Sequence, residues 1–211
     1  MRSAGFVLGL ALAAAPAVAS AQTQLLVGSK LVIKNPRQGV EANKLVVLSK
    51  DAGVTGPASM LENPRCMPYG TGTARLTVSS TAGESFTIDL GGAKCVLWKG
   101  DVAGSRWKYR DPSGTTCNVI LIKAGVLQKA VCHGSQVAFQ LGAPQGSVDV
   151  VLSTGTAPRR WCTTFNDGAE GCVVKKDGGD GRRLVAIDCT SAAASCGASP
   201  SGAFVDQLPP S

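Results

Sequence analysis

Eight cysteines, one histidine and 14 carboxylates are the residues through which this 211-residue chain could do covalent, metal or acid–base chemistry. The cysteines are Cys66, Cys95, Cys117, Cys132, Cys162, Cys172, Cys189 and Cys196, and no two form a C-x-x-C pair. Zinc sites usually bring ligands close together in sequence, so an even cysteine count with a single histidine points to disulfides and no metal site. That histidine, His133, directly follows Cys132, as a Cys–His nucleophile pair would require. Neighbours on a strand point to opposite faces, however, which keeps these two side chains apart. His133 is therefore read as a structural or surface residue. A Ser-His-Asp site would need the same histidine, and no G-x-S-x-G elbow accompanies it. The metalloprotease, P-loop and dinucleotide fingerprints are absent as well. Two glycosidase carboxylates would meet only in space, and the sequence singles out no pair among the 14. The acidic, Gly-rich runs 166–171 and 177–181 match no EF-hand spacing and read as turns. No catalytic residue and no cofactor is expected.

Cations and aromatics are the remaining candidates for a binding site. The formal charge is +7. Arg106, Lys108 and Arg110 alternate with Trp107 and Tyr109, so on a strand they form a basic row with both rings on the opposite, inward face. Such a row could hold an anionic polymer, or it could simply keep a sheet face soluble. Trp98 and Trp161, which have basic neighbours, are candidates for a sugar-stacking platform. Nucleic acid is an unsuitable partner for an exported chain.

Strands must position these groups. Gly, Val, Ser and Thr are abundant, and no long stretch repeats its apolar residues at helical spacing. Strand signals cover 30–34, 44–50, 74–79, 85–90, 95–99, 106–110, 117–123, 127–132, 137–141, 148–154 and 160–165, with another at 184–188. A three-residue loop, Thr81-Ala82-Gly83, would set Val78 opposite Phe86 and Leu76 opposite Ile88. A two-residue turn, Ala124-Gly125, would set Val119 opposite Ala130 and Cys117 opposite Cys132, within reach of a disulfide. Near-neighbour pairing then gives Cys66–Cys95, Cys117–Cys132, Cys162–Cys172 and Cys189–Cys196, of which only the second rests on a register. Residues 28–36 also echo 104–112. Each is a basic-flanked strand ending in Asn-Pro or Asp-Pro, which suggests either a duplicated half or two similar strand ends.

Residues 1–21 read as a signal peptide. Arg2 supplies the positive charge, residues 6–15 the apolar stretch and Ala19-Ser20-Ala21 the cleavage site, so the mature chain would begin at Gln22. Loss of Arg2 with that leader lowers the formal charge from +7 to +6. The expected organisation is a disulfide-bonded β domain over 22–172, a charged Gly-rich loop and short disulfide-closed extension over 173–196, and a flexible tail over 197–211. The runs 104–112, 146–152 and 160–165 resemble uncharacterised secreted bacterial β-rich proteins, a likeness that implies no activity. The expected fold is all-β, an antiparallel sandwich or flattened barrel. The expected function is binding of an anionic polymer or glycan by an exported periplasmic or extracellular protein without a transmembrane anchor. A structural or protein-interaction module is the alternative, and a secreted hydrolase is third. The oligomeric state is left open.

Overall fold

The computed structural model describes residues 22–36, 39–100, 105–166 and 171–192. The leader and tail expected over 1–21 and 197–211 lie outside these residues, as does Cys196. Among the described residues there are thirteen strands: β1 Gln22–Leu26, β2 Lys30–Lys34, β3 Lys44–Ser49, β4 Ala74–Ser80, β5 Ser85–Asp89, β6 Trp98–Lys99, β7 Arg106–Tyr109, β8 Cys117–Lys123, β9 Leu127–His133, β10 Val148–Thr154, β11 Arg159–Phe165, β12 Val173–Asp177 and β13 Arg183–Ile187. They form a five-stranded sheet, β1-β11-β10-β4-β5, and an eight-stranded sheet, β12-β13-β2-β3-β9-β8-β7-β6. Every ladder is antiparallel except β1 with β11. The arrangement is a sandwich and not a closed barrel.

Alternation along the strands builds the core. Leu76, Val78, Phe86, Ile88, Val150, Leu152 and Trp161 of the smaller sheet share one apolar cluster with Leu31, Ile33, Leu45, Val47, Ile120, Trp107 and Tyr109 of the larger. The β4–β5 hairpin has the expected register, with Val78 opposite Phe86 and Leu76 opposite Ile88. Gly83 takes a φ of 89° in its loop, a conformation that costs glycine little.

The β8–β9 hairpin differs in an instructive way. Its turn is three residues long, with Lys123 opposite Leu127, so Val119 faces Val131 and not Ala130. A one-residue bulge at Asn118 then cancels the offset, and Cys117 still faces Cys132. The sulfurs are bonded at 2.04 Å. The expected bridge is present, reached through a turn and a bulge that offset each other.

Two expected strands are not strands. Residues 92–97 form a 3-10 turn that leaves only Trp98–Lys99 extended, and Gly92 at φ 55° allows that bend. Val137, Phe139 and Leu141 alternate and are buried as expected, but no ladder includes them. Side-chain amides take the place of a neighbouring strand: Asn43 Nδ2 donates to the Val137 carbonyl at 2.8 Å and Asn35 Nδ2 to the Phe139 carbonyl at 3.2 Å. Conversely, β1 and β12 are strands without clear alternation. After residue 172, β12 and β13 extend the eight-stranded sheet beyond β2. The echoed segments become β2 and β7. They lie on either side of β9 in that sheet, each separated from it by one strand, β3 or β8.

Candidate binding face

The outer face of the eight-stranded sheet is where the sequence's basic residues converge. Leu31 and Ile33 of β2 point into the core, which turns Lys30, Val32 and Lys34 outward. The same parity turns out Lys44, Val46 and Leu48 of β3, Lys129, Val131 and His133 of β9, and Leu121 and Lys123 of β8. The ladders arrange these side chains in rows that run across the strands.

One row carries Lys99, Lys108, Leu121, Lys129, Leu48 and Lys30, each directly opposite the next on six successive strands. Two residues along lies an aliphatic row, Val119, Val131, Val46, Val32 and Val185. Beyond it stands a third row of His133, Lys44, Lys34 and Arg183. Arg106 and Lys123 form a fourth, on the other side of the first row. Among the described residues, every charged side chain that these ladders put on the face is cationic. The outer face of the smaller sheet is different. There Arg75 stands opposite Asp89, Asp149 accepts a 2.5 Å hydrogen bond from Thr164, and most other positions are Ser or Thr.

The aliphatic row is not open apolar surface. Val32 is 5% and Val185 7% exposed. Burial, together with Lys44 directly opposite, pushes the His133 imidazole below its ordinary value, so it stays neutral near pH 7. Comparison with protein-family models, curated proteins and solved structures finds no match. The face therefore rests on its own geometry.

The expected basic row is partly realised. Arg106 and Lys108 lie on β7 and face outward, while Trp107 and Tyr109 are wholly buried on the inner side. Arg110 falls one residue past the end of β7; it is exposed, and its N–H donates to the Leu97 carbonyl. The stacking platform is not there. Trp98 is 2% and Trp161 0% exposed. Their indole N–H groups donate to the Leu90 carbonyl at 3.0 Å and the Thr55 carbonyl at 2.8 Å, and Trp98 packs edge-on against Tyr109. Large aromatics on inward strand positions serve the core first, and the basic neighbours did not reveal that.

Disulfide pairing is also corrected. Cys66–Cys95 and Cys117–Cys132 are present, but Cys172 is bonded to Cys189. That bond excludes the expected Cys162–Cys172 and Cys189–Cys196 pairs. Cys162 is itself disulfide-bonded. The Cys172–Cys189 bridge links the segments flanking the β12–β13 hairpin, a closure that near-neighbour counting cannot anticipate. In the 177–181 run the carboxylates serve the turn: Asp177 accepts from the Gly179 N–H at 3.1 Å and Asp180 from the Arg182 N–H at 2.9 Å. Most of the 166–171 run lies outside the described residues. The lysines that sequence reasoning passed over are Lys30, Lys34, Lys44 and Lys129. Strand parity could have placed each on a surface, but only the pairing of β3 with β9 puts them on one.

Proposed function

We propose that this protein is an exported binding protein of the periplasm or the extracellular space, and that it holds an anionic polymer or glycan on the outer face of its eight-stranded sheet. One observation carries the reading: the ladders gather cations from β2, β3, β6, β7, β8, β9 and β13 on a single face and bring no carboxylate among them. A one-signed face of this kind attracts extended anions over several ångströms, in a salt-dependent manner. The disulfides Cys66–Cys95, Cys117–Cys132 and Cys172–Cys189 support the exported setting, because such bonds form and persist in oxidising compartments. No helix among the described residues is long and apolar enough to cross a membrane.

The direct test is a titration of the folded protein against purified acidic polysaccharides at several ionic strengths. Saturable binding that weakens with salt, and that drops when Lys30, Lys108 and Lys129 are replaced together by Gln, is the expected result. Binding unaffected by that replacement would remove the face from the site.

A second reading, a protein-interaction module, has its own observation. Met67 at 73%, Tyr69 at 60% and Val96 at 70% exposure protrude around the Cys66–Cys95 bridge. Arg65 stacks 4.4 Å over the Tyr69 ring beside them. Replacing Met67 and Val96 by Ser would abolish an association that uses this outcrop and leave polymer binding unchanged.

A further inference from the structure

The cross-strand register says more about the ligand than its sign. In the first row the lysines of β2, β9 and β7 alternate with the leucines of β3 and β8: Lys30, Leu48, Lys129, Leu121, Lys108. Adjacent strands lie roughly 4.8 Å apart, so these three cations recur about every 10 Å with an aliphatic side chain midway between them. Leu48 and Leu121 are half-buried, which leaves part of each side chain at the surface. On one flank, the valine row at Val32, Val46, Val131 and Val119 supplies no cation. From Lys30 to Lys108 a linear ligand therefore meets charge, apolar surface and charge again, at the length of two linked sugars per period, and beyond Lys108 the row ends on an adjacent cation, Lys99.

We propose that the ligand is an acidic polysaccharide with its carboxylates or sulfates on alternate sugars, lying across the strands. One anion pairs with each of Lys30, Lys129 and Lys108, and the intervening neutral sugars rest their C–H faces on Leu48 and Leu121. This rests on the reading of the face as a polymer site and adds the charge spacing of the polymer. The third row makes the contrast. Arg183, Lys34 and Lys44 occupy three successive strands, so its cations recur about every 5 Å with no apolar side chain between them. That spacing suits a charge on every sugar, and it provides an internal control.

The experiment compares two oligosaccharides of equal length at one ionic strength: alternating glucuronate and N-acetylglucosamine, and oligogalacturonate with a charge on every unit. The second carries twice the charge, so non-specific attraction favours it. We expect the alternating oligosaccharide to bind about tenfold more tightly, a difference of about 1.4 kcal/mol. Lys129→Gln should weaken that binding about fivefold or more, and Lys44→Gln, which removes a cation of the third row, should weaken it clearly less. Circular dichroism of each variant confirms folding, since both lysines are half-buried and each replacement keeps part of the aliphatic stem. Tighter binding of oligogalacturonate, or equal losses from Lys129→Gln and Lys44→Gln, would overturn the spacing and keep the face. Absence of binding to either oligosaccharide by the folded protein would overturn the face as well.

Discussion

Asp111 shows how one residue of the echoed strand end acquired a separate role. It is buried at the close of β7, where Oδ1 accepts from the Ser113 N–H at 2.9 Å and Oδ2 from the Thr116 hydroxyl at 2.9 Å. Burial alone would raise its pKa. The hydrogen bonds from Ser113, Thr116 and Thr115 outweigh burial and hold the carboxyl at about 2, against an ordinary 3.8. Because the folded value is depressed, the stabilisation is fully present above pH 3.8 and is lost as pH falls towards 2. It amounts to roughly 2 kcal/mol. Asp111→Ala should lower stability at pH 7 and flatten its dependence between pH 4 and 2, as chemical denaturation at several pH values would show. Trp107 makes the opposite kind of contribution. Its ring is fully buried, and Gly56 and Gly100 approach it so closely that a Cβ on either would meet ring atoms at 3.0 and 2.7 Å. Trp107→Ala should cost about 3–5 kcal/mol. Replacing Arg106, Lys108 and Arg110 together by Ser should leave the melting temperature nearly unchanged, since exposed charges add little. A harmless Trp107→Ala would mean that β7 presents its other face to the core.

At the scale of elements, the cysteines tie down the places where strand pairing is irregular. Cys117–Cys132 fastens the bulged end of β8 to β9, and Cys172–Cys189 fastens the β12–β13 hairpin at the sheet edge. Peptide mapping without reduction should recover Cys172 linked to Cys189. Recovery of Cys162 with Cys172 would contradict the edge hairpin. Loss of Cys117–Cys132 through a double Ser replacement should lower stability by about 2–3 kcal/mol, because the closed loop is short. β12 itself is an exposed edge strand bearing Lys175 and Lys176, charges that discourage pairing with another sheet.

Across the described strands, the two outer sheet faces differ in charge. One outer sheet face is cationic and the other combines two Arg, two Asp and hydroxyl side chains. Raising the salt concentration should therefore weaken polymer binding steeply while leaving unfolding curves nearly in place. Intact-mass analysis of exported material should find a chain beginning at Gln22. Retention of Met1 in that material would remove the signal reading and, with it, the exported setting.

Much of this was already decided by the sequence. Alternation with period two depends only on neighbouring residues, so most of the strands, the β4–β5 hairpin, the inward Trp107 and Tyr109 and the outward Arg106 and Lys108 were legible along the chain, whereas β1 and β12, which lack clear alternation, were not. Short-range turn chemistry also brought Cys117 opposite Cys132, although it missed the bulge that makes the match. Tertiary structure alone decided which distant strands are neighbours. β3 pairs with β9 across roughly 80 residues of chain, and only that pairing sets Lys129 between Leu48 and Leu121 and so creates the lysine–leucine period. The same long-range packing buried Trp98 and Trp161, replaced a strand partner of residues 137–141 with two asparagine amides, and joined Cys172 to Cys189. Local pattern determines which way a side chain points, whereas the register between strands remote in sequence is a property of the whole core.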